Sequence, residues 1–539
     1  MQEESTSIEP ESKKKIELNV DAFYGISVEY RPTSEVYDFN KVGFGIWDFK
    51  VKFPAGKDDE PSGYFSGVYR NGFIDFLSHY GFCKRFRTDG SYFLLRCIEN
   101  MIEEVDTINV SDFITEYLEK YGSDISFTEN FDGDPVVFTA SLLLQKETIK
   151  KQCHSLFNKK FLELLPTFDA EILKDTPTEC FKLFSNRIIQ ITAEGLQEIE
   201  YKDLLDKFVW KKHIIDYDFV YTEEFADCHY SKFIYNVSNA QSEPERHFAF
   251  TAAIGYLLHK FNAQEKGQAI ICYDEVITDL NKPQGGTGKG VFAKALGKLS
   301  EMIKIDGKKF DESDRFCFQR VSDSTQVVFF DDVKSKLGFD RFNSILTDGW
   351  NIEKKNKDEF AIPPEDSPKV LIGSNSILEC EGSTRKRRQF ILEFSDFYSR
   401  NIIKGNEEPI KDHHKCIFFT NDWDKAEWQK FYSFMINCIH EFMNSGLVYY
   451  EPKNVKANRL RQITTDDFAE WISLESFEVN KVYEIKQQYE TFKTTYYGED
   501  QFSQRKFTSF LKKYATLNDW GFKQPPASSG KTYFQFVQL

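Results

Sequence analysis

Four stretches hold side chains of the kinds that handle phosphate. The first is PQGGTGKG, residues 283–290. Gly285, Gly286 and Gly288 let a backbone turn tightly and aim several N–H groups inward, with no Cβ in the way. Lys289 would reach the β- and γ-phosphates of a nucleotide from such a loop. A helix over Val291–Leu299 would present its N-terminus to the anion, and Phe292, Ala295, Leu296 and Leu299 share one helical stripe. The apolar run Ala269–Cys272 supplies a preceding strand. Two positions depart from the full P-loop pattern. Pro283 stands in place of the first glycine, and Gly290 in place of the hydroxyl residue that touches magnesium. Thr287 or a water is left to replace that hydroxyl.

The second stretch is Val327–Phe330, apolar without alternation, as a parallel strand buried on both faces requires. It ends in adjacent carboxylates. Asp331 suits magnesium held through water, and Asp332 can orient or deprotonate an attacking water. The third is Val370–Ile372, which runs through Gly373 and Ser374 to Asn375, an amide able to position water at a strand end. The fourth is the basic run Arg385, Lys386, Arg387 and Arg388, followed by alternating Phe390, Leu392 and Phe394. A planar guanidinium suits phosphate charge in a transition state. Singly, each has a plain alternative: a glycine turn, an acidic turn, a turn asparagine, a solvated basic loop.

In this order and spacing the stretches resemble superfamily 3 helicases, and more closely the helicase module of viral and mobile-element primase-helicases. The resemblance covers about 243–447. It implies an α/β fold, an AAA+-like P-loop ATPase core with a parallel sheet, using ATP and Mg2+. It makes Asn375 the sensor and Arg388, with Arg387, the arginine finger acting on a neighbouring subunit's nucleotide. The family carries a hairpin lining a central pore, matched here by Leu346–Phe360, with Lys354, Lys355 and Lys357 as pore-facing cations. Expected partners are single-stranded DNA in that pore, further copies in a ring (a hexamer), and a primase or polymerase. The expected location is the cytoplasm, the host's if a virus or phage encodes the chain.

The rest of the chain must position these parts. Its 539 residues are 41% apolar and 16% aromatic, enough for several ordered domains. A net charge of −16 argues against wrapping nucleic acid indiscriminately but allows a local basic channel. The ten cysteines include no CxxC, and His413, His414 and Cys416 read as a surface turn short of a metal ligand set. No apolar run reaches membrane length, and no signal peptide is evident, so no membrane partner is expected.

Residues 1–18 read as a disordered tail, 19–240 as an α+β region, 241–400 as the core with a preceding collar helix, 401–460 as a helical lid or collar, and 461–539 as a winged helix. The collar helix is Glu243–Phe261, with Phe248, Ala252, Ile254, Gly255, Leu258 and Phe261 on its apolar side. Asn421–Gly446 is the clearest helix, with Asp424 as cap and Glu427 completing a capping box. In the last domain a helix Gln504–Ala515 buries Phe507, Phe510, Leu511 and Tyr514, leaving Arg505, Lys506, Lys512 and Lys513 for phosphates. Its spacing FxxFLxxY, with a glycine-turn hairpin after it, echoes Phe73, Phe76, Leu77 and Tyr80. A second winged-helix unit near 70–120 and chance similarity explain that echo equally well. Asp216 and Asp218 form a DxD that a primase site would use for metal, although a β-hairpin into the core is the stronger reading.

Two functions follow. One is an ATP-driven ring translocase that unwinds DNA in replication. The other is a non-motor adaptor or loader that binds nucleotide and DNA without turnover.

Overall fold

The computed structural model describes residues 46–538 apart from 53–61, 132–133, 205, 264–266, 277–285, 312, 335–336, 356–358, 379–386, 402–407, 499–500 and 529. The tail 1–18, Pro283, Gly285, Lys357, Arg385 and Lys386 lie outside the described residues. The chain forms two compact units, one built mainly from residues up to 218 and the other from 219–539 with 175–180 and 191–196.

In the first unit, helix Arg70–His79 packs Phe73, Phe76 and Leu77 into a core with Phe82, Val110, Ile114 and Leu118. The expected hairpin follows as Phe82–Phe86 and Tyr92–Ile98, turning at Gly90 with φ 82°. It continues into Met101–Val105, and then through parallel pairing to Lys207–Trp210, in a five-stranded sheet. Ile214–Ile215 pairs in parallel with Leu183–Phe184 rather than forming a hairpin. The DxD lies just past it, where Ser185 Oγ donates to Asp218 Oδ1 at 3.0 Å.

The second unit is organised around an all-parallel five-stranded sheet. Its elements in chain order are α1 (His229–Val237), α2 (Pro244–Leu258), β1 (Ala269–Asp274), α3 (Lys289–Leu296), β2 (Met302–Asp306), β3 (Val327–Asp331), α4 (Asp340–Thr347), β4 (Trp350–Ile352), β5 (Phe360–Ile362), β6 (Lys369–Gly373) and β7 (Gln389–Phe394). The spatial order is β2-β3-β6-β1-β7. Residues 269–273, 327–330 and 369–373 are buried throughout, so helices must cover both faces. The sheet core joins Ile271, Val328, Phe330, Val370 and Ile372 to Phe342, Trp350 and Ile352.

After the sheet come α5 (Pro409–His414), α6 (Lys425–Ser445), α7 (Val455–Ile463), α8 (Asp466–Leu474), β8 (Val482–Glu484), α9 (Ile485–Tyr496), α10 (Gln504–Leu517), β9 (Trp520–Lys523) and β10 (Tyr533–Gln538). The antiparallel sheet β8-β10-β9 and three helices enclose Phe468, Trp471, Phe492, Phe507, Phe510, Leu511, Phe534 and Phe536.

Three local expectations change. α2 is buried on every side from Ala249 to Leu258, because it packs on α6 as well as on the sheet, while Phe248 faces outward at 55% exposure. Gly255 permits that packing, since a Cβ there would lie 2.2 Å from the Cys438 carbonyl oxygen. Asp424 caps α6, but the Glu427 carboxylate turns away from the cap and accepts the His229 N–H at 2.5 Å. The segment from His413 to Cys416 closes α5 with His413 and Lys415 exposed, but His414 and Cys416 turn inward. His414 is buried, with Nε2 2.7 Å from Tyr398 Oη, and burial beside His413 and His229 pushes its pKa down to about 3.

Candidate phosphate-binding site

β1 ends at Asp274, two residues beyond its expected limit, and there the residue is buried. Across the described end of the glycine loop, Gly286 and Gly288 take φ of 103° and 104°, where a side chain is strained. A Cβ on Gly288 would also meet the Phe233 ring at 2.6 Å, so the loop is seated closely on α1. α3 starts directly at Lys289, and Phe292, Ala295 and Leu296 anchor it in the core.

Lys289 Nζ donates to Asp274 Oδ1 at 2.5 Å and to Asn375 Oδ1 at 2.8 Å. Thr287 Oγ1 donates to the same Asp274 oxygen at 2.6 Å. Asn375 Nδ2 then donates to Asp332 Oδ1 at 2.8 Å, and Lys308 Nζ to Asp332 Oδ2 at 2.6 Å. Lys304 Nζ lies 2.6 Å from Asp331 Oδ2. A continuous polar chain therefore crosses the C-terminal ends of β1, β6 and β3.

The backbone dictates this meeting. Val333 N–H donates to the Gly373 carbonyl at 2.9 Å and Ser374 Oγ to the Val333 carbonyl at 2.7 Å, tying the ends of β3 and β6 together. Asp332 takes φ 60°, a conformation aspartate tolerates better than most residues, and its carboxylate meets Asn375. Asp274, Lys304 and Lys308 were not among the residues that the sequence singled out. Asp274 lies just past an apolar run, and the two lysines sit in MIKIDGKK with no motif to mark them.

The other expected site residues lie elsewhere. Arg387 and Arg388 precede β7, at the opposite end of the parallel sheet from Lys289. Arg388 Nη1 donates to the carbonyls of Gly267 at 3.2 Å and Leu346 at 3.4 Å. Lys369 opens β6 at that same end, fully buried with Nζ 3.9 Å from the Tyr256 ring centroid, and burial pulls its pKa down to about 7. β4 and β5 pair as an antiparallel hairpin, but not over the expected Leu346–Phe360: Leu346 lies in α4 and the second strand runs on to Ile362, with Lys354 half-buried near Phe360 and Lys355 exposed. Arg505, Lys506, Lys512 and Lys513 are exposed on α10, as expected, although Lys513 Nζ donates to the Ile463 carbonyl at 2.6 Å.

A lysine at a helix N-terminus, beyond the C-terminal edge of a parallel sheet, offers donors of the kind an anion uses, although here Asp274 already pairs with it. Gly286 and Gly288 hold the described end of the loop at positive φ and Lys289 supplies a cation, a donor set whose chemistry suits phosphate oxygens. Magnesium fits less directly. Asp331 and Asp332 are each held by a lysine more than half exposed, and such exposed pairs are weak, so a divalent cation can displace them. Among the described residues, no group of three His, Cys, Asp or Glu side chains is placed to hold a metal alone. No helix among them is long and apolar enough to cross a membrane.

A family of unknown function (DUF5906) matches residues 280–388, a span that includes Lys289, Asp331, Asp332 and Asn375. No curated protein matches. Among solved structures, the chain is similar to the A form apo structure of the NrS-1 C-terminal region, at 13% identity and TM-score 0.36 over 86% of this chain and 99% of that one. A second structure of that region matches at 14% identity and TM-score 0.36, over 86% and 98%. JCV helicase matches at 12% identity and TM-score 0.20, over 40% of this chain and 67% of its own.

Proposed function

We propose that the second unit is an ATP-driven, ring-forming DNA translocase of the superfamily 3 type, with an AAA+-like P-loop core that acts in replication. The observation carrying this reading is the hydrogen-bonded chain from Lys289 through Asn375 to Asp332. It joins a phosphate-seeking cation, a sensor-type amide and a water-orienting acid across neighbouring strand ends. On this reading Lys289, Gly286, Thr287 and Gly288 bind the triphosphate of ATP, and Asp331 holds Mg2+ through water. Asn375 and Asp332 orient the attacking water. Arg388 and Arg387, remote from Lys289 in their own subunit, serve a neighbouring subunit of a hexameric ring. Lys354, Lys355 and Lys357 line a pore for single-stranded DNA. The order helix, strand, helix, helix, strand, strand from α8 to β10 supports reading this part as a winged helix, whose Arg505, Lys506, Lys512 and Lys513 contact phosphates.

The test is ATP hydrolysis with and without single-stranded DNA, on the wild type and Lys289→Ala. DNA-stimulated turnover that Lys289→Ala abolishes supports the motor. Nucleotide binding without turnover supports the second reading, a loader or adaptor. That reading is favoured by Gly290, which offers no hydroxyl to a metal, and by the lysine already paired to each of Asp331 and Asp332.

A further inference from the structure

We propose that α7 positions the Lys289 site and couples it to nucleic acid held on α10, with Asn458 and Gln462 as the positioning residues; this rests on the nucleotide-binding reading above. Asn458 is 1% exposed, and its Nδ2 donates to the carbonyls of Glu275 at 3.0 Å and Asp274 at 3.4 Å. It therefore grips the backbone of the residue whose carboxylate holds Lys289. One turn further on, Gln462 Oε1 accepts the Ile377 N–H at 2.9 Å and Nε2 donates to the Ile377 carbonyl at 3.1 Å. Ile377 is two residues past Asn375, the other partner of Lys289. A single helix thus holds both loops that hold Lys289.

The flank of α7 is fastened as well. Lys453 and Asn454 donate their N–H groups to the buried Glu393 carboxylate at 3.2 and 2.9 Å. Arg246 joins that strand to β1, bonding the Glu393 carbonyl at 2.8 Å and the Glu275 carboxylate at 3.2 Å. The opposite side of α7 belongs to the C-terminal domain. Leu460 packs in its core, and the Ile463 carbonyl accepts from Lys513 Nζ on the cationic face of α10. A DNA phosphate that draws Lys513 away removes one of the bonds on the C-terminal end of α7, the helix that also reaches Asp274 and Ile377. A plain tether has no need of a buried amide aimed at two strand-end carbonyls, because burying that amide costs free energy unless the bonds are made.

The test titrates a fluorescent ATP analogue into the full chain, with and without a single-stranded DNA oligonucleotide, for the wild type, Asn458→Ala and Gln462→Ala. DNA is expected to change analogue affinity in the wild type by about fivefold or more, and the analogue to change DNA affinity by the same factor. Both variants keep both ligands, but the factor falls toward one. Gln462 is partly exposed, so Gln462→Ala carries the test if Asn458→Ala does not fold. An undiminished factor in Gln462→Ala overturns the coupling. So does a wild type that binds each ligand without linkage, which leaves the nucleotide reading standing. A wild type that binds no analogue overturns both.

Discussion

Asp274→Asn is expected to weaken the free protein and tighten its hold on nucleotide. The side chains of Asp274 and Lys289 are 6% and 14% exposed, with a 2.5 Å contact between them. Removing one partner of a buried pair costs about 3–5 kcal/mol, because the remaining charge is left uncompensated. Here Asn375 Oδ1 still accepts from Lys289 at 2.8 Å, and the new amide oxygen still accepts from Thr287, which points to the low end, about 3 kcal/mol. At roughly 2 °C per kcal/mol for a unit of this size, the melting midpoint falls by about 6 °C. Binding changes in the opposite sense. In the wild type Asp274 competes with a phosphate for the charge of Lys289, so the energy of that pair opposes binding. At 1.4 kcal/mol per tenfold, even half of it makes the variant bind ATP about tenfold more tightly. The melting gap therefore narrows as ATP is added, since ligand stabilisation grows as Kd falls. A fluorescent-nucleotide titration and thermal melts with and without ATP read both effects. Weaker binding by Asp274→Asn, or an unchanged midpoint without ligand, would refute the reasoning and make Asp274 a support of the loaded site instead of a competitor for Lys289.

Three further outcomes follow from the same geometry. Gly290 is helical with nothing within 4 Å of where a Cβ would stand, so Gly290→Ser fits. It should stabilise by about 0.5 kcal/mol through helix propensity and raise magnesium-dependent turnover, as a melt and an ATPase assay will show. Gly255→Ala places a Cβ 2.2 Å from the Cys438 carbonyl oxygen and 2.5 Å from Phe442 Cβ. A denaturant titration should record a loss of about 3 kcal/mol for that overpacking. His414 is neutral in the fold, with its pKa at about 3 against about 6.5 when unfolded, so the unfolded chain binds the extra proton between those values. Stability contributed by this site is intact above pH 6.5 and declines on acidification by up to about 1.4 kcal/mol per pH unit. Urea midpoints from pH 7 to 5 should show this slope, and His414→Asn should flatten it.

The sheet was legible because burial on both faces forces uninterrupted apolar runs, and Val327–Phe330 and Val370–Ile372 display them. The helix after the glycine loop was legible for the same reason, through the stripe of Phe292, Ala295 and Leu296. Partners set by tertiary contact were not. Glu427 has the spacing of a capping box, but the His229 N–H, 198 positions away, competes for its carboxylate and wins. His414 is polar and sits beside another histidine, yet Tyr398 gives it a hydrogen bond that makes burial tolerable. α7 carries no such mark, because VKANRLRQI has few apolar residues and its contribution lies in Asn458 and Gln462 reaching carbonyls and N–H groups of distant loops. Asp274 is the clearest case. Read alone it is an acid after a strand, and only the loop's return brings Lys289 to it.

On the nucleotide-binding reading, the charges at the sheet edge give a chain of net charge −16 a way to take up an anion. Lys289, Lys308 and Lys304 each face an aspartate, Asp274, Asp332 and Asp331 in turn, so the site is balanced within itself. A polyanion gains attraction from Lys289 only as Asp274 is displaced, and a divalent cation gains Asp331 only as Lys304 moves off. The two exchanges support each other. The lysines released from the acids are free to neutralise phosphate, and the acids released from the lysines are free to hold the metal. Nucleotide and metal should therefore bind with positive cooperativity, each lowering the cost of seating the other. The weakly held outer pairs, Lys304–Asp331 and Lys308–Asp332, should yield first, and the buried Lys289–Asp274 pair should set the barrier.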